Sequence, residues 1–166
     1  MVTDSEVCKA CIRKHCKVVV SALKRTDDID FENIVPMPKV VKLSYLPIGM
    51  STEYHQEHGT RNWYGWCTQN WGTKWNAYDI NLVDGGMTFD TAWGFPKPVM
   101  VALSELFPEL TITCTYIDEG WNFAGWSIFS CGTMIDSGAV ECSKEDAEFC
   151  ELCLELKGYD PQDEED

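Results

Sequence analysis

The sequence predicts an α+β domain on an antiparallel sheet, in the order strand, helix, two strands, helix, strand, then an extra sheet segment and a last helix. Three observations carry that reading. Thr111-Ile-Thr-Cys-Thr-Tyr116 alternates polar and apolar residues, the period of a strand with one wet face. Trp63, Trp66, Cys67, Asn70 and Trp71 recur at three- and four-residue steps, the period of one helical face. Asp84-Gly85-Gly86 separates two strand-like runs, as the turn of a hairpin does.

Along the chain, Lys17-Val-Val-Val-Ser-Ala-Leu23 is continuous and β-branched, and is expected to be the first strand, covered on both faces. Asp27 to Asp30 mark a turn. Phe31-Glu-Asn-Ile-Val-Pro-Met-Pro38 is expected to be an extended connection, because Pro36 and Pro38 each push the preceding residue out of the helical region. Residues 60–71 form a helix that packs inward through tryptophan, and residues 79–83 and 87–93 form the hairpin. Pro98 suits the first turn of a helix over residues 99–107, and Pro108 stops it. After the strand at 111–116, residues 121–129 and the stretch around Thr133-Met-Ile135 extend the sheet. Ser143-Lys-Glu-Asp146 caps a final helix whose stripe holds Phe149, Cys150, Cys153, Leu154 and Leu156 and which ends near Gly158. This gives a ferredoxin-like βαββαβ sheet with helices on one face, plus a cysteine-rich N-terminal segment and a C-terminal helix. Residues 1–160 are one domain and residues 161–166 a disordered acidic tail.

Composition narrows the function classes. The 166 residues suffice for one core without disulfides, and no run approaches the length of a membrane-spanning helix. The first residues carry acids and no signal-like apolar region, so a soluble protein of the host-cell cytoplasm is expected. Its nine cysteines are then expected to be reduced, leaving metal binding or packing to account for them. A net charge of −14 repels a phosphate backbone and favours a partner with a basic surface. Charge is also uneven: residues 1–25 hold six Lys/Arg against two acids, and residues 141–166 hold two against eleven.

Three blocks carry a family resemblance: Asp30-Phe-Glu-Asn-Ile-Val-Pro-Met-Pro38, Tyr64-Gly-Trp-Cys-Thr-Gln-Asn-Trp-Gly-Thr-Lys-Trp-Asn-Ala-Tyr-Asp79, and Phe89-Asp-Thr-Ala-Trp-Gly-Phe-Pro-Lys-Pro98 leading to Leu106-Phe-Pro108. Together with the strand at 111–116 they resemble the YubB-type ferredoxin-like family of phage and plasmid accessory proteins over roughly residues 16–130. The resemblance implies the ferredoxin-like fold, a home in mobile elements and no established enzymatic activity, and transfers no catalytic residues. The chain departs from it at its cysteine-rich start and in a connection before Phe31 too short for a full helix.

Among chemistry-bearing residues, Cys8, Cys11, Cys150 and Cys153 form two Cys-x-x-Cys pairs, the spacing of a closed four-thiolate structural zinc site. They lie 138 residues apart, so the site needs the two ends of the fold to meet; His15 or Cys16 are alternate ligands. The competing expectation is that these cysteines pack as small hydrophobes. Trp63, Trp66, Trp71, Trp75 and Trp93 are expected in the core, with Tyr64 and Tyr78 the better surface candidates. His55-Gln-Glu-His58, with Glu53, is the one histidine–acid cluster, but its spacing is not that of a zincin and a polar loop is expected. Cys67 sits among tryptophans, where desolvation deactivates a thiol.

The leading expectation is a non-enzymatic accessory protein that binds a host protein with a basic surface. An acidic inhibitor of a nucleic-acid-directed defence system, in the manner of anti-CRISPR or anti-restriction proteins, fits that description. Alternatives are a zinc-stabilised nucleic-acid-binding module using Lys9, Arg13, Lys14, Lys17, Lys24 and Arg25, and a small metal-dependent enzyme using the His55–His58 loop.

Overall fold

Each pair of strands in an antiparallel sheet sends alternate residues to opposite faces, so the register of a few pairs decides what is core and what is surface. The computed structural model describes residues 9–12, 24–25, 28–42, 62–83 and 86–163. Among these, the main sheet is formed by β1 (Lys9–Ile12), β4 (Tyr78–Val83), β5 (Gly86–Asp90), β6 (Ile112–Ile117), β7 (Ala124–Ser130) and β8 (Thr133–Val140). A separate two-stranded ribbon pairs β2 (Lys24–Arg25) with β3 (Asp28–Ile29). The helices are α1 (Lys39–Lys42), α2 (Trp63–Asn70), α3 (Lys97–Leu106) and α4 (Ala147–Lys157), with single 3-10 turns at Phe31–Asn33 and Pro161–Asp163.

The sheet runs β4-β5-β1-β6-β7-β8 with every neighbour antiparallel. Within it β1, α2, β4, β5, α3 and β6 make the expected βαββαβ unit, with β1 central between β5 and β6. Ala10 stands opposite Met87 on one side and Cys114 on the other. Strands β7 and β8 then extend the sheet beyond β6 as a second hairpin.

One face of the sheet carries the main core. Met87 and Phe89 of β5, Ile112 and Cys114 of β6 and Phe129 of β7 meet Trp66 and Cys67 of α2 and Val99, Met100 and Leu103 of α3. Phe31 fills the end of this core, edge-on to Trp71 and Phe89, and the Trp71 indole donates to the Val35 carbonyl at 2.9 Å. On the opposite face, α4 covers one corner: Phe149, Leu152 and Cys153 close over Ile117, Ala124 and Val140. The helices of the βαββαβ unit therefore share a face as expected, while the C-terminal helix takes the other. Gly125 allows β7 and β8 to close tightly, since a Cβ there would lie 2.4 Å from the Gly138 carbonyl oxygen.

Several local expectations need correction, each for a physical reason. The expected first strand at 17–23 lies outside the described residues, and the described strand that opens the sheet is β1. Residues 31–33 are not extended but form a 3-10 turn, because the Asp30 carboxylate accepts from the Glu32 N–H and caps it. Asp146, not Ser143, caps α4, accepting from the Phe149 N–H at 2.8 Å, and Gly158 ends the helix at φ 77 as expected. Leu154 points outward and Leu152 inward, because the buried side of α4 is the one that carries Phe149, Leu152 and Cys153 onto Ile117, Ala124 and Val140. The tail does not begin at 161: Pro161 is buried and the Gln162 amide donates to the Lys144 carbonyl at 2.9 Å.

Phe129 is fully buried at the junction of β6, β7 and the helices. Phe129→Ala is expected to lower unfolding free energy by about 3–5 kcal/mol, read from urea melts.

Candidate functional site

The loop that leaves β5 must turn sharply to enter α3, and the way it turns builds a groove at one end of the sheet. The Thr91 hydroxyl donates to the Gly94 carbonyl at 2.7 Å, and the Lys74 N–H donates to the Ala92 carbonyl at 3.1 Å, tying this loop to the segment after α2. Gly72, at φ +82, lets the two segments touch: a Cβ there would lie 3.0 Å from the Phe95 carbonyl oxygen and from Pro98 Cδ. Between the anchors, Trp93 is held at φ 74, in the left-handed region, and is 66% exposed. Such a backbone costs a non-glycine residue about 1–2 kcal/mol, and the exposed indole recovers little of it by burial.

The groove encloses about 290 Å³. Its inner surface is Phe95, stacked on Tyr116 at 4.4 Å between centroids, with Phe123 beside Tyr116. Its rim carries Trp75, Tyr78 and Trp93, and the Tyr64 ring meets Trp93 edge-on at 5.8 Å and Trp63 at 6.1 Å. The Lys74 ammonium lies over both indoles, 4.6 Å from the Trp75 centroid and 4.3 Å from that of Trp93.

Three carboxylates, Asp90, Asp118 and Glu119, line the groove together with one cation, Lys157 of α4. Burial pushes the Asp90 carboxyl above the ordinary range; Lys157 pulls it down, while Asp79 and Glu119 push it up. Burial also raises the Tyr78 hydroxyl, helped by Asp90, Asp79 and Glu119. For Asp118, burial acts upward but is outweighed. The Asn122 side chain donates to it at 2.6 Å and the N–H groups of Asn122 and Gly120 at 3.1 and 3.0 Å, and these bonds with Lys157 hold it below the ordinary range. The groove is thus an aromatic slot beside fixed negative charge.

The tryptophans divide differently from the sequence expectation. Trp66 and Trp71 are in the core, but Trp63, Trp75 and Trp93 are exposed, while Tyr64 and Tyr78 lie at the surface as expected. Helical spacing located Trp66 and Trp71, yet it says nothing about Trp75 and Trp93, which lie in loops. The signal that marks Trp93 is its place in Ala-Trp-Gly-Phe-Pro, a strand-to-helix turn too short to bury a large ring.

Burial holds the thiols of Cys67, Cys114 and Cys153 protonated. Burial, with Glu32 nearby, pushes Cys67 to about 11; burial, with Cys150 and Cys142 nearby, pushes Cys153 to about 11; and burial raises Cys114. Cys150 and Cys153 lie on the inner side of α4, where the Cys150 thiol donates to the Lys144 carbonyl. Register sets Cys11 opposite Thr113, four residues along β6 from the Ile117 that α4 covers, or about 13 Å at the rise of a strand. Cys8, His15, Cys16, His55 and His58 lie outside the described residues, and among those described no group of three or more His, Cys, Asp or Glu side chains is arranged to hold a metal ion. Of the basic strip, Lys9 is in β1 and Lys24 and Arg25 form β2; Arg13, Lys14 and Lys17 lie outside.

Residues 70–155 match the family described as the ferredoxin-like domain in Api92-like protein, a span that includes β4 to β8, α3 and most of α4. The chain belongs to this family. Apart from Lys157, every residue lining the groove falls within the matched span of this Api92-like ferredoxin domain. Over 85 residues the chain is 28% identical to a protein of Escherichia coli (strain K12) described as uncharacterized protein YubB. That alignment covers 48% of this chain and 59% of the E. coli protein's length. No solved structure matches the chain. No helix among the described residues is long and apolar enough to cross a membrane.

Two expectations follow from the site. Because the folded Asp90 binds its proton more tightly than the unfolded chain does, its contribution is fully favourable below the ordinary carboxylate pKa. That contribution is lost as pH rises through the elevated folded value. Asp90→Asn is therefore expected to gain stability over the native protein at neutral pH and to lose that advantage toward acid, in denaturant melts across pH. For Cys153, Cys153→Val is expected to keep the fold while Cys153→Ser loses about 1–3 kcal/mol by burying a hydroxyl in an apolar site. Equal losses in both variants would instead mark a thiolate with a bound metal.

Proposed function

We propose that the chain is a non-enzymatic binding domain whose partner is a protein with a basic surface, docked on the aromatic and acidic groove. The observation that carries this reading is the conjunction at one place of a strained, exposed Trp93, a cavity large enough for a side chain, and three carboxylates. A rigid aromatic set against desolvated charge has the make-up of an interaction hot spot. The net charge of −14 adds long-range attraction for such a partner and opposes nucleic acid. The protonated state of Cys67, Cys114 and Cys153 favours binding over thiol catalysis. In the mobile-element setting that the family resemblance implies, a host protein whose basic surface handles nucleic acid is the partner class that fits, and covering that surface makes the domain an acidic inhibitor.

The test is capture of partners from host lysate, identification, and titration of the purified partner at low and high ionic strength. Affinity is expected to fall about tenfold or more with added salt, through a slower association rate, and to fall in Asp90→Asn and Trp93→Ala. Binding indifferent to salt and to both substitutions overturns the reading, as does a shift of labelled oligonucleotide at low salt in the absence of any protein partner.

A further inference from the structure

Beside the groove a cation already lies over two of its lining rings, and its position indicates what those rings attract. Lys74 follows the turn at Gly72-Thr73, and its ammonium reaches over two indoles at once, Trp75 and Trp93. A surface lysine gains more hydration and more rotamer freedom by extending into water, so its position shows that the two rings form an electron-rich slot for organic cations. The backbone supports the slot from below. The Lys74 N–H is tied to the Ala92 carbonyl, and the same turn forces Trp93 to φ 74, so the rings stay open to solvent rather than closing on the core.

What lies deeper in the groove has the same preference. Among the described residues lining it, Asp90, Asp118 and Glu119 bring three negative charges against the positive charge of Lys157. Hydrogen bonds from Asn122 and Gly120 fix Asp118 as a carboxylate. The stacked pair Phe95 and Tyr116 provides a flat apolar surface, which suits a planar guanidinium or a methylene stem. A cation held over the indoles therefore lies beside a groove whose lining carries opposite charge.

Resting on the binding reading above, we propose that this groove receives a cationic side chain, arginine or lysine, from the partner. In the free protein Lys74 stands in for it at the aromatic slot and is displaced on binding. Lys74 is then a built-in competitor for weak ligands, and the partner's cation takes its place over Trp93 and Trp75, drawn there by the negative charge of Asp90, Asp118 and Glu119 in the adjoining groove.

The experiment is a titration of the full chain with blocked arginine amide, followed by the indole N–H resonances and tryptophan fluorescence. Blocked citrulline amide, which has nearly the same shape but no charge, is the control. Arginine amide and lysine amide are expected to perturb the Trp75 and Trp93 signals, assigned with Trp75→Phe and Trp93→Phe, and citrulline amide to leave them unchanged. Lys74→Met keeps the length of the side chain and removes its charge, and is expected to tighten arginine amide binding about threefold to tenfold; Trp93→Ala is expected to weaken it about tenfold. Equal response to citrulline amide, a response to neutral oligosaccharide instead, or weaker binding in Lys74→Met overturns the inference. Under those outcomes a protein partner still sensitive to Trp93→Ala leaves the docking surface standing, whereas a partner indifferent to every groove substitution removes that reading as well.

Discussion

The structure depends on burying one face of an antiparallel sheet beneath two helices. Strand periodicity fixes Ile112, Cys114 and Phe129 on that face, and Met87 and Phe89 join them through β1, which stands between β5 and β6. A slip of one residue in β6 would send the whole apolar set to the opposite side. That register also fixes where β5 and β6 end, and hence that Asp90 and Asp118 emerge at the same end of the sheet. The groove is a consequence of the core's alignment.

The site itself shows local costs accepted against the needs of folding. Trp93 occupies a backbone region that favours glycine, and Asp90 is held where its charge is disfavoured. Neither choice adds to the core. By contrast Trp121, also at positive φ, is engaged internally: its ring meets Phe149 edge-on at 5.3 Å and its indole donates to the Tyr159 hydroxyl. At Trp121 the same strain is returned by contacts in the core, whereas the contacts of Trp93, with Tyr64 and Lys74, are made at the surface.

The C-terminal helix ties this arrangement together. Its stripe of Phe149, Leu152 and Cys153 covers the corner formed by Ile117, Ala124 and Val140, and that docking places Lys157 at the groove beside Asp118. Cys153 takes part in this packing as a small hydrophobe. A helix added to the βαββαβ unit therefore contributes both to stability and to the charge balance of the site.

The sequence by itself determined the α+β class, the hairpin at Gly86, the limits of α3 and the end of α4 at Gly158, because these follow from local rules of periodicity, proline and glycine. The inward faces of β6 and of Trp66 and Trp71 were legible for the same reason. Only the tertiary structure decided that α4 covers the opposite face, that Leu152 rather than Leu154 turns inward, and that Trp75 and Trp93 stand exposed around Lys74. Loop residues carry no period, and the groove joins segments from residues 75 to 157 that meet only after the sheet has formed. The position of a side chain in such a place is set by long-range packing, which local sequence does not encode.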